Sequence, residues 1–179
     1  MQFILVVLCS LVLVSCASVP AETPYNLGVA AYKKRHYTEA AAQWTKSVAF
    51  GNTEAMNNLG YLLYNGYGVD KNIVRAIQLW RVASEAGYSE SQWHLGRAYE
   101  TGIGVERSLS KAFAWYQCAI ETASNNSTAA TKDHDTEVAI LKDAKRSLDK
   151  LEAALSASDL EMGRVLSAEY IARYGRPAP

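Results

Sequence analysis

Few side chains in this sequence could carry chemistry. His36, His94 and His134 are the three histidines, and no pair of them has the spacing of a metal site. Cys9, Cys16 and Cys118 form no cluster. Cys118 with His94 is the one combination that could be drawn as a thiol nucleophile and its base. Helical periodicity, however, puts Cys118 inside the packed face of a helix, where a thiol is inert. The acids Glu39, Glu54, Glu85 and Glu90 are spaced like solvated helix faces. Gly66-Tyr67-Gly68 and Gly102-Ile103-Gly104 have the look of phosphate-cradling loops, but both follow helical stretches rather than strands and neither is followed by Lys-Ser/Thr. No catalytic residue, metal-ligand set or cofactor is therefore expected. Lys plus Arg and Asp plus Glu both total 18, so charge supplies no footprint for nucleic acid and no basic excess for an anionic membrane surface.

The sequence does contain a duplication. Leu59-Gly60, Gly66, Gly68-Val69, Ala76, Trp80 and Ala83 recur 36 residues later as Leu95-Gly96, Gly102, Gly104-Val105, Ala112, Tyr116 and Ala119. That period belongs to arrays of stacked helical hairpins. Gly60 and Gly96 lack a Cβ, which lets the second helix of a pair come close, and Gly66, Gly68, Gly102 and Gly104 can adopt positive φ where the chain reverses. Val69 and Val105 are placed to plug the turn into the core, and the alanines keep the second helix near the first. A third unit precedes these. Trp44 to Trp80 and Gly51 to Gly87 are both 36 residues, yet Leu27 to Leu59 is only 32, so the first unit is four residues short between its helices.

The spacing of Gly28, Ala40 and Trp44 resembles the tetratricopeptide repeat, and the two longer units resemble Sel1-like repeats. The resemblance implies an all-α, right-handed α-solenoid with a short unit at 24–51 and Sel1-like units at 52–87 and 88–121. On the first helix of each unit, the residues three before, one after and four after the Leu-Gly glycine share a face. These are Tyr25, Val29 and Tyr32, then Asn57, Tyr61 and Tyr64, then Trp93, Arg97 and Glu100. In tetratricopeptide arrays this face lines the concave side, and five aromatics with an arginine there are the residue types of interface hot spots. The competing expectation is that Trp93 and one or two of the tyrosines pack between neighbouring helices.

The flanks differ from the array. Residues 3–14 are apolar apart from Ser10, a run too short to span a bilayer. Leu13-Val14-Ser15-Cys16 then resembles the lipobox of bacterial lipoproteins, although Met1-Gln2 brings no Lys or Arg. The resemblance implies removal of residues 1–15, lipidation (palmitate) at Cys16 and a tether over 16–23. Ala17 after the cysteine implies an outer-membrane lipoprotein facing the periplasm; an ordinary signal peptide cut after Ala17 or Ala21 is the alternative. Polar, Asn/Ser/Thr-rich residues at 122–134 suggest a loop holding His134. Beyond it, 135–179 reads as a helical cap with an apolar stripe at Leu141, Ala144, Leu148, Leu151 and Leu155, or as a dimerisation seam along those leucines. The function expected is a non-catalytic scaffold in the bacterial cell envelope, binding a protein or peptide in its groove. The alternatives are a regulatory periplasmic protein and a hydrolase acting on cell-wall or β-lactam substrates. Sel1-repeat proteins linked to β-lactams are rich in paired cysteines, which this chain lacks.

Overall fold

Helix boundaries follow the capping chemistry of the sequence. In the computed structural model, which describes residues 23–128 and 134–175, the elements are α1 (Pro24–Lys33), α2 (Tyr37–Ala49), α3 (Thr53–Asn65), α4 (Ile73–Glu85), α5 (Ser89–Thr101), α6 (Leu109–Thr128), α7 (His134–Ala154) and α8 (Ala157–Tyr174). Asn52 and Asn72 cap α3 and α4, accepting the N–H of Ala55 at 2.6 Å and of Arg75 at 2.9 Å. Ser156 caps α8 by accepting the N–H of Asp159 at 3.1 Å. Gly66 and Gly102 end α3 and α5 in the left-handed region, with φ of 77° and 75°.

The helices pair as the repeat requires: α1 with α2, α3 with α4 and α5 with α6, each pair leaning on the next through α2–α3 and α4–α5. At each crossing an aromatic ring of the second helix lies flat over the glycine of the first. Trp44 covers Gly28, Trp80 covers Gly60 and Tyr116 covers Gly96. A Cβ on Gly60 would stand 2.6 Å from Trp80 Nε1, and one on Gly96 2.5 Å from the Tyr116 ring. Ala40, Ala76, Ala83, Ala112 and Ala119 are all fully buried along the same seams.

The second glycine of each turn has a separate task. A Cβ on Gly68 would collide with the backbone of Tyr37 and Thr38 at the start of α2, and one on Gly104 would meet Ile73 Cγ2 at 2.5 Å at the start of α4. Each Gly-x-Gly turn therefore docks on the second helix of the unit before it. At the other end Gly163 of α8 takes the equivalent place, where a Cβ would stand 2.9 Å from Phe113 Cδ1, and Ser110 Oγ donates to the Asp159 carbonyl at 2.9 Å.

The composition of 122–134 suggests a loop, but residues 122–128 and 134 are helical. Helix α6 continues to Thr128 and α7 begins at His134. Tertiary packing outweighs polar composition here: Thr122 and Ala123 are fully buried, and Ala123 shares a cluster with Ile140 and Ala144 of α7. Asn126 also donates to Glu137 at 2.8 Å, tying the two helices together. Residues 129–133 lie outside the described residues. The α7 stripe is spent inside the chain, with Ala144, Leu148 and Leu151 buried on α6 and Leu141 and Leu155 packed beside them. Helix α8 then folds back over α6 and reaches α4, and its Tyr170 and Tyr174 close over Trp115 at ring-centroid distances of 4.6 and 5.7 Å.

Replacing Gly60 with alanine is expected to lower unfolding free energy by about 1–3 kcal/mol, the cost of overpacking a tight contact. Urea denaturation monitored by circular dichroism measures it. A change within about 0.5 kcal/mol would mean that Trp80 can move aside and that the ring-over-glycine contact does not hold the pair.

Candidate binding groove

The first helices of the units are not packed on one another where the array begins. Helices α1 and α3 both lean on α2, and between them lies a groove of about 530 Å³. From α1 come Tyr25, Val29 and Tyr32, which recur along one face because 25, 29 and 32 are one turn apart. Helix α3 supplies Asn57, Asn58 and Tyr61. Trp44 lies in the groove wall, and Tyr88, Glu90 and Thr136 close the end where α5 and α7 begin. Burial together with the neighbouring Tyr61 and Tyr37 raises the pKa of the Tyr32 hydroxyl.

Asn57 is buried and acts as a brace rather than an exposed contact. Its backbone carbonyl accepts the Trp80 indole N–H at 3.2 Å, its side-chain oxygen accepts the Ser91 hydroxyl at 2.9 Å, and its amide donates to Glu90 at 2.8 Å. One side chain thus ties the second unit to the third and fixes the Glu90 carboxylate in the groove. Asn57 also donates to the Asn58 side-chain oxygen at 3.3 Å.

The nine positions that share the sequence face separate in three dimensions. Tyr25, Val29, Tyr32, Asn57 and Tyr61 meet in the groove, whereas Tyr64 and Arg97 border an adjoining hollow of about 120 Å³ with Trp80 and His94. Trp93 and Glu100 border neither. Trp93 packs against the α6–α7 cluster with the Arg97 guanidinium 5.0 Å above its ring, and Glu100 accepts the Tyr116 hydroxyl at 2.6 Å. Trp93 thus packs the third unit against the cap, and Glu100 ties α5 to α6 within that unit. Burial and the Glu100 carboxylate together push the Tyr116 hydroxyl pKa well up. The groove residues that the face spacing does not reach are Lys33, Trp44, Asn58, Tyr88, Glu90 and Thr136. Most of them come from helix ends, and the first-turn position of Glu90 next to the buried Ser91 is the only signal in the sequence.

Among the described side chains, His94 is the histidine placed in the interior. Its ring stacks on Trp80 at 4.3 Å with 12° between planes, flanked by Trp93 and Tyr61. Burial first and the Arg97 charge second lower its pKa to about 3, so the ring is neutral. The 3.9 Å approach of its Nε2 to Glu90 is consequently neither an ion pair nor a hydrogen bond. Cys118 is fully buried beneath α8, its thiol pointing to the Tyr170 carbonyl at 3.6 Å, and burial pushes its pKa up to about 12. A neutral stacked imidazole and a protonated buried thiol do not make a nucleophile and base. Among the described residues no group of three His, Cys, Asp or Glu side chains could hold a metal ion. The architecture can present aromatic faces and hydrogen-bond donors to a partner.

Unfolded histidine titrates near 6.5 and His94 in the fold near 3. Between those values the unfolded chain takes up a proton that the folded chain refuses, so this contribution to stability is intact above about pH 6.5 and lost as pH falls toward 3. Thermal melts from pH 7 to pH 4.5 should therefore fall more steeply for the wild type than for His94→Phe, which keeps the stacking ring. Parallel curves would show that His94 is protonated in the fold.

Comparison with known proteins agrees with the geometry. The family model of the Sel1 repeat matches residues 53–88 and 89–121. Among solved structures, the chain is similar to a protective antigen present in uropathogenic Escherichia coli strains that displays an SLR fold. The TM-score is 0.70 and the identity 29%, over 85% of this chain and 30% of that one. It is also similar to a Sel1 repeat protein from Oxalobacter formigenes, with a TM-score of 0.58 and 26% identity over 82% of this chain and 55% of that one. The chain spans about a third and about half of the lengths of these two proteins. No curated protein matches it. The chain is an all-α solenoid containing two Sel1 repeats.

Proposed function

We propose that this chain is a non-catalytic protein-interaction scaffold of the bacterial cell envelope. It binds a protein or peptide segment in the groove between α1 and α3 and is held at the outer membrane, facing the periplasm, by lipid on Cys16. The observation that carries the binding reading is the groove itself. Three units and the cap direct Tyr25, Tyr32, Tyr61 and Tyr88 into one trough, with the buried Asn57 brace fixing its shape. Tyrosine offers a large rigid face and a polar tip at low entropic cost, which is why it is abundant where proteins meet. Binding as the mode of action is supported by the states of His94 and Cys118, both committed to the interior in unreactive forms.

The envelope location rests on the apolar run at 3–14 and the Leu13-Val14-Ser15-Cys16 motif, all outside the described residues. Among the described residues no helix is long and apolar enough to cross a membrane. Two acyl chains would suffice for attachment, since each buried methylene contributes about 0.8 kcal/mol.

The anchor is tested by acyl labelling in a bacterial host: Cys16→Ser should abolish label and release the chain from the membrane fraction. Label that persists on the variant places the lipid elsewhere. The groove is tested by affinity capture from membranes with the wild type and with Tyr25→Ala plus Tyr61→Ala. The wild type should retain a partner that the double variant loses at an equal melting temperature; an identical set of captured proteins excludes the groove as the binding surface.

A further inference from the structure

We propose that the segment bound in the groove carries an arginine, whose guanidinium lies against the tyrosine faces and pairs with the Glu90 carboxylate; the inference rests on the groove being the binding surface. Glu90 brings a negative charge into a trough lined otherwise mostly by aromatic rings and amides. Its side chain is 30% exposed, and the amide of the buried Asn57 holds one of its oxygens at 2.8 Å. A carboxylate accepts about four hydrogen bonds, so this amide orients the group and leaves it acceptor capacity. His94, 3.9 Å away and neutral, adds no positive charge beside it. Of the cations that border the groove and the adjoining hollow, Lys33 is exposed in the last turn of α1, and the Arg97 guanidinium lies over the Trp93 ring at 5.0 Å.

Any segment that fills the groove takes water away from Glu90, and covering a carboxylate without a compensating charge is costly. A neutral segment bears that cost in full, and an acidic one adds repulsion. A cationic side chain offsets it. Arginine suits the site better than lysine, because its planar guanidinium stacks on aromatic faces, is weakly hydrated and presents a fork of donors that matches a carboxylate two bonds at a time. Tyrosine hydroxyls accept as well as donate, so they can serve the donors that the carboxylate does not take. The rings are also held in place before anything binds. Tyr32 packs on Tyr37 and Trp44 at centroid distances of 5.4 and 5.6 Å, and Tyr61 on Tyr67 at 5.9 Å. A surface fixed in this way loses little entropy when a cation is laid against it.

The test is a titration of the purified full chain, in non-ionic detergent, with a glycine-serine pentapeptide that carries a central arginine, the tyrosine ring resonances being followed by NMR. Matched peptides carry lysine, glutamate or citrulline, the last having the shape of arginine without its charge. The arginine peptide should shift the resonances of Tyr25, Tyr32 and Tyr61 and bind about tenfold more tightly than the citrulline peptide, with lysine between them and glutamate weakest. Glu90→Gln removes the charge and keeps a side-chain oxygen for Asn57, so it should bring the arginine and citrulline peptides to equal affinity at an unchanged melting temperature. Should that variant unfold, the wild-type preference for arginine over citrulline still decides. An arginine peptide that fails to bind, or that shifts only residues outside the groove, overturns the inference. So does binding of the citrulline, lysine or glutamate peptide as tight as that of arginine, or an arginine preference that survives in folded Glu90→Gln. If a captured partner still depends on Tyr25 and Tyr61 in that case, the scaffold reading stands and only the ligand class falls. If neither the arginine peptide nor a captured partner depends on those tyrosines, both fall.

Discussion

The array depends on one contact made three times, an aromatic ring laid over a residue that has no side chain. Trp44 on Gly28, Trp80 on Gly60 and Tyr116 on Gly96 set how closely the two helices of each unit approach, and the fully buried alanines along the same seams can pack only at that distance. The contact also carries information between units. In the second unit the ring that covers Gly60 donates its N–H to the carbonyl of Asn57, and the side chain of Asn57 then grips Ser91 and Glu90 of the third unit. Packing inside one hairpin and registry with the next are therefore coupled through a single buried asparagine. A brace of this kind suits a binding surface, because a trough assembled from several units keeps its shape only if they cannot slide.

Each end of the array solves the same geometric problem differently. A Gly-x-Gly turn has use only when a preceding second helix is there to receive it, as α2 receives Gly68 and α4 receives Gly104. The first unit has instead the short connection from Lys34 to His36. The last second helix, α6, is covered instead by Gly163 of α8 and by the leucine stripe of α7. Surrounded by α5, α7 and α8, α6 is buried without a break from Ala112 to Tyr116. A helix apolar on nearly every side is stable only when buried on nearly every side.

The groove is a consequence of this arrangement. Helices α1 and α3 rest on α2 and leave a gap between them, whereas α5 and α7 pack on each other and leave none. The same helical face therefore behaves differently along the array. In the first two units Tyr25, Tyr32 and Tyr61 look into the gap; in the third, Trp93 is drawn against the cap and Glu100 against Tyr116.

The sequence by itself determined the helical class and the register of the two longer units, because both rest on local rules: a 36-residue period and positive-φ glycines. Five of the nine face residues could be read from i, i+4, i+7 spacing alone, since that spacing is a property of any helix. Tertiary structure decided the rest. It extended α6 to Thr128 because Ala123 meets Ile140 and Ala144, a contact between segments whose polar composition conceals it. It turned Asn57 from a surface candidate into a buried brace, because its partners are 33 and 34 residues away. It also brought Trp44 of α2, Tyr88 just before α5 and Thr136 of α7 to the groove, positions that the periodicity of α1 does not reach. Periodicity reports which residues share a face of one helix. Which faces confront each other depends on how close the helices come, and in this chain that closeness is set by the rings over the glycines.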